Sequence, residues 1–293
     1  MIPNLEEIYC LAENLTRKIN QVVLKKLRVG RKSTLSTADS ITIMIIKQIV
    51  GISDNLRLYN LLKNIPNNGF PELPSYQQFC ESLNRSYKYL AYISQILVKM
   101  NLLNNKDSEY IVDSTKLSVC KNQYTCKAGS IHPNARTGKT LEGYFFGYKL
   151  HVIINTFMEI LSFKITAGNV FDPYALTTDF VAGMSGVIVG DKGYICPTIA
   201  KKLLEQNLLL VTKRRKNMKQ VPVSSEITKL LGKRSLVETL FGQLKDHFLL
   251  VNTKCRSVLG YLTHITSAII AYCLTRNSNL LFLDVNQGIS LIS

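Results

Sequence analysis

The sequence predicts a mixed α/β fold, a mixed β-sheet flanked by helices and preceded by an all-helical N-terminal region. Three observations predict it. The first hundred residues place apolar side chains at helical spacing and contain no strand-like run. After the polar break Asn104-Asn105-Lys106-Asp107, short β-branched runs take over. From Asp172 onward, helical and strand-like segments alternate. At 293 residues and 46% hydrophobic content, the chain can bury one large core or two modest ones. The boundary is read as residues 1–104 for the helical domain and 105–293 for the sheet-containing domain.

The elements follow in order. Leu5 to Leu27 reads as a helix, and Ser36-Thr37-Ala38-Asp39 as a cap before an apolar helix from Ile41 to Ile52. A short helix fits Asp54 to Asn64 and ends at Ile65-Pro66-Asn67-Asn68-Gly69, with Pro71 and Pro74 beyond. Ser75-Tyr76-Gln77-Gln78 resembles a capping box opening one long helix to about Leu103. Arg57, Lys63, Arg85 and Lys88 lie around that helix, turn and helix, an arrangement compatible with a helix-turn-helix-like DNA reader or with a plain helical bundle. Strands are expected at Tyr110 to Leu117, Phe145 to Ile154 and Leu161 to Thr166, the last two joined by a turn at 155–159. Asp172-Pro173 reads as an N-cap with Pro at the first helical position, predicting a helix to about Ala182. A strand at Val187 to Val189, a helix at Thr198 to Gln206 and a strand at Leu208 to Thr212 follow. Helices at Ser225 to Leu250 and Val258 to Leu274 complete the domain.

Thirty-six Lys and Arg against twenty Asp and Glu give a formal charge of +16, spread along the chain. That distribution suits a broad phosphate-binding surface. Seven cysteines at scattered positions form no disulfide framework for a chain this long, which fits a reducing compartment. The opening Met1-Ile2-Pro3-Asn4-Leu5-Glu6-Glu7 lacks the basic and apolar regions of a secretory signal, so a cytoplasmic location is expected. Val258 to Leu274 carries His264 and several hydroxyl side chains and reads as a buried helix, so no membrane partner is expected. Cys120, Cys126 and His132 are too loosely spaced for a zinc site and lack a fourth ligand. No glycine-rich phosphate loop is present, so no ATP dependence is expected.

Against this basic background stand three acidic islands: Ile111-Val112-Asp113-Ser114-Thr115, Val189-Gly190-Asp191-Lys192-Gly193-Tyr194 and Arg234-Ser235-Leu236-Val237-Glu238. Asp113 and Asp191 sit at or just past the end of apolar β-branched runs, where a sheet presents ligands rigidly. On a helix, Arg234, Glu238 and Lys245 share one face within roughly 40°. Taken singly, each acid also fits a solvated strand end or an exposed i,i+4 ion pair. Carboxylates are the donors that hold hard divalent cations, and paired cations can drive phosphodiester cleavage.

The ordered set Val-Asp-Ser-Thr, Gly-Asp-Lys-Gly-Tyr and Arg-x-x-x-Glu-x-x-x-x-x-x-Lys resembles the DDE transposases of bacterial insertion sequences. Phe145-Phe146-Gly147-Tyr148-Lys149-Leu150-His151 followed by Gly168-Asn169-Val170 is similar to the strand hairpin such proteins carry between their first two acids. The resemblance covers residues 108–275 well and the N-terminal helices loosely. Leu231 stands where related proteins often have a tyrosine three positions before the arginine. The resemblance implies an RNase H-like core in which Asp113, Asp191 and Glu238 chelate two Mg²⁺ ions, with Mn²⁺ able to substitute. It implies cleavage at the ends of an element and strand transfer into target DNA. Lys192, Arg234 and Lys245 would contact DNA near the cut, and the basic run Lys213-Arg214-Arg215-Lys216, with Lys219 close by, would bind phosphates. Partners implied are double-stranded DNA, as terminal repeats and target, and further copies of the chain in a dimer or larger assembly. The location implied is the bacterial cytoplasm, at the nucleoid. A metal-dependent nuclease without strand transfer and an inactive transposase-derived DNA-binding protein are the alternatives.

Overall fold

The computed structural model describes residues 3–24, 33–65, 69–70, 72–120, 124–140, 142–213, 225–251, 255 and 257–292. The chain divides into two compact units, one of residues 1–100 with 243–293 and the other of residues 101–242. The sequence reading put the break at 104/105 and gave everything after it to one domain. In the structure, the residues from Gln243 onward are grouped with the N-terminal helices instead.

The helical unit begins with α1 (Leu5–Ile19), opened by a capping box between Asn4 and Glu7. One turn of π-helix, Asn20–Leu24, follows it, so the single helix expected to Leu27 ends its regular part at Ile19. α2 (Thr37–Ile49) opens on Ser36 and Asp39 as the sequence predicts, and α3 (Asn55–Asn64) on Asp54. The long helix expected from Ser75 is two helices, α4 (Tyr76–Arg85) and α5 (Tyr87–Asn104). Ser86 is the reason. Its hydroxyl donates to the Leu83 carbonyl at 2.6 Å, a local bond that competes with the regular helical ladder.

α10 (Val258–Arg276) is buried along nearly its whole length and packs against α2 and α4. It is long and apolar enough to span a bilayer, yet 78% of its most apolar stretch is buried within the protein. Buried His264 fixes the α2 contact: Nε2 stands 2.6 Å from the Leu249 carbonyl and Nδ1 3.1 Å from the Gln48 amide. These partners make Nδ1 the acceptor, and burial holds the imidazole pKa down to about 4. The short helix α11 (Val285–Ser290) lies against α1.

The second unit is built on a six-stranded mixed sheet. β1 (Glu109–Ser118) pairs antiparallel with β3 (Gly143–Ile154), which pairs antiparallel with both β2 (Arg136–Thr140) and β4 (Ile160–Ala167). On its other edge β1 pairs parallel with β5 (Gly186–Gly190), and β5 pairs parallel with β6 (Leu208–Thr212). Three antiparallel strands followed by two parallel ones, in the order β4-β3-β1-β5-β6, is the RNase H-like arrangement the resemblance implied. Strand alternation gives the sheet two cores. On one face Val112, Ile153, Leu161, Phe180, Ile188 and Leu208 pack together. On the other, Val189 packs against Leu230 and Leu231 of α8 (Ser225–Gly232). α6 (Thr125–Ile131) and α7 (Pro197–Leu204) lie in the connections.

Two expected helices are not continuous. Residues 172–182 form one 3₁₀ turn, Asp172–Ala175, and then further turns. Asp172 caps no helix because its carboxylate is taken by Lys149 and Ser114. The helix expected from Ser225 to Leu250 is α8 and then α9 (Ser235–Asp246), parted at Lys233 and Arg234 just after Gly232.

Candidate active site

The parallel register positions the first two acids. Ile111 pairs with Val189, an offset of 78 residues, and the same offset sets Asp113 beside Asp191 two residues beyond the last pair of the ladder. Equal parity along neighbouring strands puts both side chains on one face of the sheet. That is the face occupied by Val189 and α8. Gly190 makes room for the turn that follows: a Cβ there would stand 3.0 Å from the Tyr194 ring, which is buried beneath the strand end.

Arg234, in the turn between α8 and α9, joins the second acid to the third. One guanidinium nitrogen is 2.9 Å from Asp191 Oδ1 and the other 2.7 Å from Glu238 Oε1, in the first turn of α9. Asp113 is half-buried, and its Oδ1 accepts from the Ser114 amide at 2.8 Å. Burial raises the Asp113 pKa to about 6; the Ser114 amide and Arg234 counter that rise, and Asp191 and Asp172 reinforce it. Asp113, Asp191 and Arg234 therefore lie within electrostatic reach of one another, and Glu238 is tied to them through Arg234.

Asp172 is a fourth acid at the site, and the sequence reading gave it only a capping role. Its Oδ1 accepts from Lys149 Nζ at 2.9 Å and from the Ser114 hydroxyl at 3.1 Å. Tyr194 is 1% exposed, and burial together with Asp113 and Asp172 pushes its phenol pKa well above the usual range. His151, opposite Ser114 on β3, is a core histidine: it bonds the Thr166 hydroxyl at 2.8 Å, and burial lowers its pKa to about 4.

The remaining sequence-predicted residues are more dispersed. Lys192 is exposed beside Asp191, and Lys213 is exposed just after β6. Lys245 follows Glu238 by two turns along α9 and is half-buried. Arg214, Arg215, Lys216 and Lys219 lie outside the described residues. His132 is buried edge-on to Tyr148, and the Cys126 side chain is outside the described set.

Among the described residues, no three His, Cys, Asp or Glu side chains form a ready-made metal cage. The donor chemistry nevertheless fits a hard divalent cation. Asp113, Asp191 and Glu238 supply only carboxylate oxygens. Two of them already hold a cation, the Arg234 guanidinium, and the third is a half-buried carboxyl whose charged form a cation would stabilise.

The sequence profile described as Transposase DDE domain matches residues 104–258, just over half of the chain. The chain belongs to the DDE transposase family. That stretch contains Asp113, Asp191, Arg234 and Glu238. Among solved structures, this DDE transposase is similar to a piggyBac transposase synaptic complex with hairpin DNA. The TM-score is 0.47 and the identity 10%, covering 98% of this chain and 79% of that one. It is also similar to a pre-cleavage Mos1 transpososome, with a TM-score of 0.22 and 9% identity over 94% of this chain and 98% of that one. Comparison with curated proteins gives no match.

Proposed function

We propose that this transposase cleaves the ends of a bacterial insertion sequence and transfers the freed strand into target DNA. The observation that carries the reading is the Arg234 bridge, which gathers Asp191 and Glu238 next to half-buried Asp113 within the family-matched segment. Asp113, Asp191 and Glu238 would hold a pair of divalent cations, Mg²⁺ or Mn²⁺. When bound, such cations activate a water nucleophile and stabilise the leaving oxygen. The chain's own groups set the rest. The Ser114 amide and the β1–β5 register orient the two aspartates, and buried Tyr194 supports the strand end that carries Asp191. A DNA phosphate arriving at the site would offer Arg234 an alternative anionic partner.

The family match and the formal charge of +16 support double-stranded DNA as partner, and pairing two element ends requires a dimer or larger assembly. A bacterial cytoplasmic location at the nucleoid follows from that reading. Asp191→Asn and Glu238→Gln are each expected to lower Mg²⁺-dependent cleavage and joining together by about 1,000-fold or more, given several kcal/mol of metal-derived stabilisation. Gel-shift affinity for end DNA should stay near normal. Cleavage retained in either variant would remove that residue from the site. Wild-type cutting without joining would mean a nuclease, and binding without either would mean an inactive DNA-binding relative.

The basic run gives a second, independent measurement. Lys213→Gln with Lys216→Gln should flatten the slope of log affinity against log salt by roughly two units. An unchanged slope would make the run a solvated loop.

A further inference from the structure

The helical unit holds a cavity of about 630 Å³ lined by residues of α2, α3, α4 and the start of α10. Lys47 of α2 lies in its wall and is only 2% exposed. Its ammonium donates to Asn55 Oδ1 at 2.7 Å. Among the described residues, no carboxylate stands within ion-pair distance of it. A buried ammonium without a counter-ion is costly, and burial accordingly lowers the Lys47 pKa. Cys255, Asp54 and Cys80 offset this only through space. Asp54 is also committed locally: its carboxylate caps α3 by accepting from the Arg57 amide at 2.8 Å.

The surrounding wall suits an anion. The first turns of α3 and α10, helices of 10 and 19 residues, both contribute residues to the wall, each with its cap, Asp54 and Ser257, beside it. Asn84 adds an amide. Tyr76 and Leu56, 40% and 52% exposed, add an aromatic ring and an apolar side chain to the same wall. The volume falls in the range of small-molecule sites, roughly 300–1,000 Å³, and far exceeds what one inorganic anion needs.

We propose that this cavity binds a nucleotide unit, with its phosphate against Lys47 and the helix starts and its base against Tyr76 and Leu56. Base stacking on an aromatic ring and charge-assisted contacts to phosphate are the two elements of such recognition. The unit is a free mononucleotide or a nucleotide of a DNA strand, and both present the same groups. Nothing in the proposal depends on Asp113, Asp191 or Glu238, so it stands or falls apart from the cleavage reading.

The cavity carries its own reporters, because Cys80 and Cys255 line it and are half-buried, while Cys10 is exposed and outside it. In the full-length protein, iodoacetamide modification of each thiol is followed by mass spectrometry. dAMP or a 5′-phosphorylated single-stranded oligonucleotide is expected to slow modification of Cys80 and Cys255 at least about fivefold, leaving Cys10 unchanged; deoxyadenosine should not. Lys47→Met, which keeps the chain length and removes the charge, should abolish the protection without lowering the melting temperature. Asn84→Leu should weaken it as a second variant that keeps Lys47. Protection by both ligands assigns a site open to free nucleotides, and protection by the oligonucleotide alone assigns a DNA-strand nucleotide. Equal protection by deoxyadenosine, no protection by any ligand, or full protection in both folded variants overturns the proposal.

Discussion

Asp113→Asn is expected to abolish metal-dependent cleavage while making the metal-free protein more stable at neutral pH. The two effects share one cause, the partial burial of a carboxylate in the sheet. Its folded pKa of about 6 lies above the unfolded value near 3.9, so the native state binds the proton more tightly. The favourable contribution is complete below about pH 4 and is lost as pH rises through 6. Above pH 6, the charged form costs the fold on the order of 1–2 kcal/mol, discounted because the group is only half-buried. Asparagine keeps an oxygen for the Ser114 amide and removes the charge. Urea unfolding in chelator at pH 5 and pH 8 reads the effect: the variant should gain at pH 8 and gain about half as much at pH 5. A variant less stable than wild type at pH 8 would make Asp113 a structural residue, and retained cleavage would remove it from catalysis.

Asp172→Ala is expected to destabilise the sheet unit by about 3 kcal/mol, because it strands the Lys149 ammonium. Lys149 is 13% exposed and Asp172 26%. Without Asp172, the ammonium keeps, among the described residues, the Val170 carbonyl at 3.0 Å. The effect should be strongly non-additive. Lys149→Met alone leaves a half-buried carboxylate with only the Ser114 hydroxyl, and the double variant Lys149→Met with Asp172→Leu should recover most of the stability lost in either single one. A double-mutant cycle by urea unfolding measures the coupling, and a coupling energy near zero would show that the pair is a surface contact. Asp172→Asn should preserve the Ser114 contact and, by removing a nearby negative charge, lower the Asp113 pKa.

The acids of the site were legible because their signals are local. Asp113 and Asp191 each close an apolar β-branched run, and Glu238 lies four residues from an arginine. Asp172 was not legible: its partners Lys149 and Ser114 are 23 and 58 residues away, and an ion pair across a hairpin leaves no trace in Asp-Pro-Tyr-Ala. β2 was missed for the opposite reason, since Arg-Thr-Gly-Lys-Thr has no apolar alternation and forms a strand only by pairing with β3. The break before α9 had one local sign, Gly232, in an otherwise continuous helical pattern. That break lets Arg234 turn towards Asp191 and Glu238 rather than run along one helix face with Lys245. The partners of α10 were also beyond the sequence, because an all-apolar helix carries no stripe to show which neighbour covers it.

The grouping of residues 243–293 with the N-terminal helices has a consequence for how the chain acquires its fold. As the chain leaves the ribosome, the sheet unit has all its residues once position 242 has emerged, and its contacts are comparatively close in sequence. The helical unit is still incomplete, because Gln48 waits for His264, more than two hundred residues later, and the groove between α2 and α4 stays open until α10 arrives. The helices synthesised first are thus finished last. A message truncated before α10 would yield a sheet whose companion unit remains a sticky, half-made bundle, the kind of species that chaperones hold and proteases remove.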